Sequence, residues 1–370
     1  MTPTLAECLA RPRNDLAAVR ILAATAVLHA HAWFTAVPGM KTADFLHVFA
    51  FTLDFHGVHA FFILSGLLLT RSLIDRPDAL RFIIARATRY LPAVFVSALI
   101  AALVIGPLVT STAPADYFSR GLAVFVAKIT TFADVNATLP GVFDQNPYPS
   151  ILYIPLWTIR YELAFAVALA GLGALGLLRL RMLVLAGFVA TIAVATVWFW
   201  NGEEHLALGT PHHLVRFATT FGIGIAMGVF ADRIPVSHLT MLAVAVVAGA
   251  LAFTHLAAIA GFALIAYAIV WIGFCAPPTA AWLARLGVWS YGFYVWGFLV
   301  EQTVAYALPG SSAWTVFALS FPLALVAGWA SWVLIERPSI AQTSAITSGI
   351  RRLAGSAGVR RGAAPSAGAE

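Results

Sequence analysis

The sequence predicts an all-α integral membrane protein, a bundle of about ten transmembrane helices with both termini in the cytoplasm. Hydrophobic residues make up 61% of the 370-residue chain and charged residues only 10%, where a soluble domain carries about 25% charged residues. Mean hydropathy is +0.88. Ten apolar stretches each approach the ~20 residues needed to cross a bilayer. Basic residues then collect on alternate connectors: with the N-terminus inside, sixteen stay on the cytoplasmic side against three outside, Lys41, Arg120 and Lys128. That asymmetry is the positive-inside pattern of an even number of spans.

The spans follow in order. Residues 1–15 form a short cytoplasmic segment before the first span, 16–37. Basic residues, an apolar run and "AHA" at 30–32 imitate a cleavable secretory signal, but Arg20 interrupts the run and many spans follow. The second, 56–73, carries Ser65-Gly66, a small pair suited to close helix approach; no Gly-x-Ser-x-Gly elbow surrounds Ser65. An arginine cluster (Arg71, Arg76, Arg81, Arg86, Arg89) precedes the third, 90–112. The connector 113–153, with "DVNATLPGVFDQNPYPSILYIP", either covers a site at the outer face or only links spans.

The fourth span, 154–178, opens with Trp157, Arg160 and Glu162, and the fifth is 182–200. In the next connector, "NGEEHLALGTPHH", the spacing of His205, His212 and His213 fits no metal-ligand pattern even with Glu203 and Glu204 beside it. These histidines are expected on the surface, and no metal is expected. The sixth span, 213–231, holds Arg216 and the small-xxx-small pair Gly224 and Gly228. After 237–254 and 257–275, the ninth, 289–308, carries Tyr291, Tyr294, Glu301 and Gln302; the tenth is 313–335. The membrane domain thus covers 16–338. Beyond it, "TSGIRRLAGSAGVRRGAAPSAGAE" has too little apolar surface for a core, so 339–370 is expected to be a disordered cytoplasmic tail.

Several function classes drop out. The basic residues are not interleaved with aromatics on one face, which disfavours nucleic acid. Cys8 and Cys275 have neither pairing partners nor ligand spacing. No phosphate-binding Gly-x-x-x-x-Gly-Lys loop occurs, and no histidine has an aspartate four or five residues later.

Three arginines remain inside spans: Arg20, Arg160 and Arg216. A charge there is costly, and it implies an interior face with a partner or ligand. Arg20 and His31 are eleven residues apart, about 1100° of helical rotation, so they lie on one face about 16 Å apart along the axis. His31 is therefore expected to share a cavity with Arg20. His29, about 900° from Arg20, faces the other way, toward a neighbouring helix.

The arginine, ten residues, histidine spacing resembles the signature of the acyltransferase 3 family of membrane-embedded acyltransferases. Over roughly 14–340 the chain repeats the family's segments in order. These are "GVHAFFILSGLLLTRS" (57–72), "RATRYLPA" (86–93), "LWTIRYELAF" (156–165), "RFATTFGIGIAMG" (216–228), "LGVWSYGFYVWGFLVEQ" (286–302) and "IERP" (335–338). The chain departs where many members have a histidine after Tyr-x-Trp and then a proline: here stand Gly297 and Leu299.

The resemblance implies transfer of an acyl group, commonly acetyl from acetyl-coenzyme A, to a hydroxyl of a carbohydrate or a lipid-linked or exported glycan at a bacterial cytoplasmic (inner) membrane. His31 would be the general base, since a neutral imidazole suits that task. Arg20 would clamp an anionic part of the donor, as a guanidinium pairs with phosphate in a fork. Arg86 and Arg89 match the family motif and would bind the cytoplasmic acyl-coenzyme A. Glu162 needs a partner on another helix, such as Arg20, Arg216 or protonated His31; it would orient His31 or hold acceptor hydroxyls, and the plain alternative is a structural ion pair. Trp157, Tyr291, Tyr294 and Glu301 are the candidate acceptor contacts. The rival reading is a transporter or translocator of a glycolipid or anionic molecule, which more often shows matched internal repeats; no repeated motif relates the two halves.

Overall fold

The computed structural model describes residues 2–11, 14–119, 121–200, 210–276 and 280–362. Among these residues there are helices and isolated bridges but no strand. The main helices are α1 (Leu16–Ala36), α2 (Leu53–Asp75), α3 (Ala79–Ile100), α4 (Trp157–Ala174), α5 (Arg181–Trp198), α6 (Thr210–Val229), α7 (His238–Leu251), α8 (Ala257–Phe274), α9 (Ser290–Ala307), α10 (Ala313–Ser331) and α11 (Thr343–Gly362). Seven helical stretches among the described residues are long and apolar enough to cross a membrane, those of α1 to α5, α8 and α10. This is an all-helical, multi-pass membrane protein. Of the other three expected spans, α7 has only 14 residues; α6 opens on two histidines and an arginine, and α9 carries Glu301 and Gln302. Two of the expected landmarks, Arg120 and the "NGEEHLALG" connector with His205, lie outside the described residues.

Small residues set the tightest contacts. A Cβ added at Gly66 would lie 2.2 Å from the Phe221 carbonyl oxygen, and one at Gly224 would lie 2.2 Å from that of Ile63. Backbones of α2 and α6 therefore touch, which only glycine permits. α1 runs through the middle, against α2, α8, α9 and α10. At Gly57 a Cβ would meet the Ala23 carbonyl oxygen at 2.6 Å, drawing α2 onto it.

α3 continues through a π turn, Ala101–Ile105, to Val109. Pro107, which has no N–H to donate, follows directly, and such bulges arise where the regular ladder is broken. The Tyr117 hydroxyl donates to the Ala102 carbonyl there at 2.7 Å. The connector after α3 packs on it: Tyr117, Phe125, Phe143 and Tyr153 are buried with Tyr90 and Val94 of α3. Gln302 of α9 fastens this segment, donating to the carbonyls of Tyr148 and Ile151 (both 2.7 Å) while Asn146 donates to the Gln302 Oε1 at 2.8 Å.

The tail differs from expectation. The chain stays helical past Pro338, and α11 docks on α3: Thr343 and Thr88 hydroxyls lie 2.9 Å apart, Arg81 donates to the Ser344 hydroxyl at 2.9 Å, and Arg351 pairs with Asp78 at 2.7 Å. Its polar composition gives little apolar drive, but hydroxyls and an arginine that match groups on α3 hold its first turns. Residues 363–370 lie outside the described residues.

Candidate active site

Two cavities meet inside the bundle. The first, about 190 Å³, is lined by Arg20 of α1, Ser65 of α2, Arg86, Arg89 and Tyr90 of α3, and Glu162 of α4, with Tyr291 of α9. The second, about 580 Å³, is lined by His31 of α1, Asp54 of α2, Trp157, Arg160 and Tyr161 of α4, and His213 of α6, together with Lys41, Asp134, Asn136 and Tyr148 from the connectors. Val58, Thr158 and Tyr294 line both. Arg20 and His31 thus share a helix face but not a cavity. Rotation puts them on one side of α1, but nothing in the sequence marks Val58, Thr158 and Tyr294 as the side chains between the two cavities.

In the arginine cavity, Glu162 is held by hydroxyls rather than by a cation. Its Oε1 accepts from Ser65 Oγ at 2.5 Å and from the Tyr90 hydroxyl at 2.7 Å. The four ion pairs among the described residues involve none of Arg20, Arg86, Arg89, Arg216 and Glu162. Glu162, expected to pair with Arg20, Arg216 or protonated His31, is instead held by this hydroxyl clamp and forms no ion pair among the described residues. Arg89 lies 5.8 Å from the ring centroids of Tyr291 and Trp332. Tyr291 donates to the Tyr90 carbonyl at 2.9 Å. Arg86 Nε is buried without a hydrogen-bond partner. Three guanidiniums and one carboxylate line this space, and an anion with several oxygens suits that excess.

Of the arginine cluster only Arg86 and Arg89 reach this cavity; Arg71 pairs with Asp75 at 3.3 Å and Arg81 with the tail.

At the dividing wall, the Tyr294 and Thr158 hydroxyls lie 2.9 Å apart, and both sit on the Pro155 carbonyl, at 3.0 and 3.1 Å. This carbonyl belongs to the 3₁₀ turn Ile154–Leu156, which leads into α4 and presents Trp157.

The histidine cavity carries two charges of each sign, Lys41 and Arg160 against Asp54 and Asp134. His31 is buried, with its ring edge-on to Phe298 at 5.4 Å between centroids. His29 packs on the other side of α1 against Trp314 and Phe317, at 5.1 and 5.4 Å, as the rotation required. His212 and His213, expected on the surface, are both buried. They sit in the first turn of α6, where the helix starts inside the bundle. His213 stacks on Phe217 and packs 4.4 Å from Trp157. Arg216 is buried among Phe55, Phe217 and Phe51, with its guanidinium carbon 4.2, 4.7 and 5.6 Å from their ring centroids.

Glu301 does not belong to either cavity. It is fully buried, and neither carboxylate oxygen has a hydrogen-bond partner among the described residues. At Gly297, the departure from the family pattern, a Cβ would lie 2.9 Å from Leu28 Cδ1, so an α1 side chain occupies that space. Sequence reasoning passed over Tyr90, Ser65, Tyr161 and Tyr148 as site residues. Tyr90 follows Arg89 within a quoted motif and Ser65 lies in another, a signal that packing and positive-inside explanations masked. Among the described residues no group of three or more metal-binding side chains occurs.

The sequence profile of a family described as an acyltransferase domain matches residues 13–333. The chain is also 29% identical over 362 residues to "Nodulation protein 10" of Rhizobium leguminosarum bv. viciae, covering 89% of this chain and 93% of that protein. No solved structure matches it.

Proposed function

Because the chain belongs to the acyltransferase domain family matched above and is a multi-pass membrane protein, we propose that it carries an acyl group, acetyl in the first instance, from acyl-coenzyme A to a hydroxyl of a carbohydrate or a lipid-linked or exported glycan. The observation that carries this reading is the pair of adjoining cavities, one with an excess of cations and the other with balanced charges beside neutral donors and acceptors. The phosphates of the donor sit against Arg20, Arg86 and Arg89, on the side that the arginine asymmetry assigns to the cytoplasm of a bacterial inner membrane. Its thioester reaches the wall at Val58, Thr158 and Tyr294. The acceptor lies in the histidine cavity.

His31 removes the proton from the acceptor hydroxyl as its oxygen attacks the thioester carbonyl. The C–O bond forms, the C–S bond breaks, and the coenzyme A thiolate leaves, to be protonated by solvent or the imidazolium. Glu162, held by Ser65 and Tyr90, limits the cationic excess and keeps Tyr90 against the donor. The thioester is already activated, so no acyl-enzyme is needed.

The test is transfer or hydrolysis of labelled acyl-coenzyme A by the purified protein beside His31→Ala. Loss of transfer in a folded variant supports the assignment; full activity would overturn it. Movement of an unmodified solute with no acyl transfer by either protein would favour transport.

A further inference from the structure

Among the described residues, His213 and His31 are the two imidazoles that line the histidine cavity, and the chain treats them differently. Arg216 Nη2 lies 3.1 Å from His213 Nδ1. A guanidinium has only N–H donors and stays protonated in proteins, so it cannot accept at this contact. Nδ1 of His213 must therefore accept, which makes the ring neutral and puts its proton on Nε2. Nε2 is then the ring's N–H donor.

Placing Arg216 here is costly. It is fully buried between aromatic rings, and its Nε and Nη1 have no hydrogen-bond partner among the described residues. Ring faces offset part of that cost. Among the described residues, the one hydrogen bond of this guanidinium goes to His213, which lines the cavity. Phe217, nearly parallel to the His213 ring at 11°, and Trp157 at 4.4 Å fix its plane.

We propose that His213, locked by Arg216 in its Nε2–H tautomer, is the hydrogen-bond donor that holds an oxygen of the polyhydroxylated acceptor. His31 is then the imidazole in that cavity with a lone pair for the acceptor proton. The role in acceptor binding rests on the acyl-transfer reading; the tautomer does not. Arg216 acts as a positioning residue through His213.

Nitrogen NMR of the full-length protein labelled in histidine, with His213 assigned by difference against His213→Gln, reads the tautomer directly. Expected is an accepting Nδ1 and a protonated Nε2, kept in Arg216→Lys and replaced by a tautomer mixture in Arg216→Met. A proton on Nδ1 in the unmodified protein overturns the assignment. The Nε2–H proton resonance is expected to move on titration with methyl glucoside and not with coenzyme A; no response to the glucoside, or a response to coenzyme A, overturns it. In acyl transfer to the same glucoside, His213→Phe raises acceptor KM by roughly tenfold with kcat held, and His213→Gln, which keeps an N–H, recovers most of it. A fall in kcat at unchanged KM would put His213 at the reacting centre and also overturn it. If neither protein transfers acyl groups, the acyl-transfer reading fails, while the tautomer and the titration remain decided.

Discussion

The two cavities share Val58, Thr158 and Tyr294 yet differ in charge. Three guanidiniums face a single carboxylate in one, whereas the other has two charges of each sign and a set of neutral polar groups. Within a bundle this apolar, an unbalanced positive charge is maintained at a cost unless a ligand matches it. A balanced cavity of hydrogen-bonding groups suits an uncharged, hydroxyl-bearing molecule. The proposed reading uses this difference: the anionic donor takes the cation-rich cavity and the hydroxylated acceptor the balanced one, with the chemistry at the side chains the two share.

The largest expected effect breaks the comparison at its catalytic end. His31→Ala is expected to lower acyl transfer by about 10²- to 10⁴-fold, the usual contribution of a positioned base, while donor binding stays unchanged because His31 lies outside the arginine cavity. Steady-state transfer and equilibrium binding of acyl-coenzyme A measure the two separately. Equal loss of both would mean that the cavities are not independent.

Arg20→Met tests the other end. A hydrogen bond to a charged group contributes about 1.5–3 kcal/mol, so donor KM is expected to rise roughly ten- to a hundredfold, with acceptor KM held. An equal rise in acceptor KM would contradict the division of labour.

Much of this arrangement was legible in the sequence. Hydropathy gave the all-helical membrane class, and rotation separated His29 from His31. The Arg86 and Arg89 motif marked two residues that do line a cavity. What the sequence could not carry depends on contacts between helices far apart in the chain. Glu162 satisfies its carboxylate with Ser65 and Tyr90, 97 and 72 residues away. His212 and His213 read as surface residues because they follow a polar connector, but α6 starts deep among Phe199, Trp157 and Phe217. Glu301 read as a ligand because it is acidic, yet it faces packing helices instead of a cavity.

Tyr294→Phe sharpens the comparison at the wall itself. The ring stays and the barrier remains, but the hydroxyl bonded to Thr158 and Pro155 is lost. The expected cost is about 0.5–1.5 kcal/mol, a few-fold in kcat with both KM values nearly constant. Tyr294→Ala instead joins the cavities, and hydrolysis of acyl-coenzyme A without transfer is expected to rise. Unchanged coupling of hydrolysis to transfer in that variant would show that Tyr294 does not divide them.

The smallest effect lies outside the lining of both cavities, where α11 rests on the helix that bears Arg86 and Arg89. The Asp78 carboxyl is held below the usual carboxylate range, first by the Arg81 backbone N–H that it caps and less by its pairing with Arg351. A carboxyl with a depressed value stabilises the arrangement above its ordinary titration range, near pH 4, and the contribution is lost as pH falls through the lowered value. The Arg81 bond is internal to α3 and persists if the tail lifts away, so only the Arg351 share belongs to docking. That pair is partly exposed, with side-chain exposures of 56% for Arg351 and 28% for Asp78, so it contributes less than about 1 kcal/mol. Hydrogen exchange over residues 343–354 is therefore expected to quicken a few-fold at most in Arg351→Ala at neutral pH, and the difference from the parent protein is expected to vanish in acid. If donor KM stays constant as the tail loosens, the excess positive charge of the cavity belongs to Arg20, Arg86 and Arg89 alone; a parallel rise would make α11 part of the donor site.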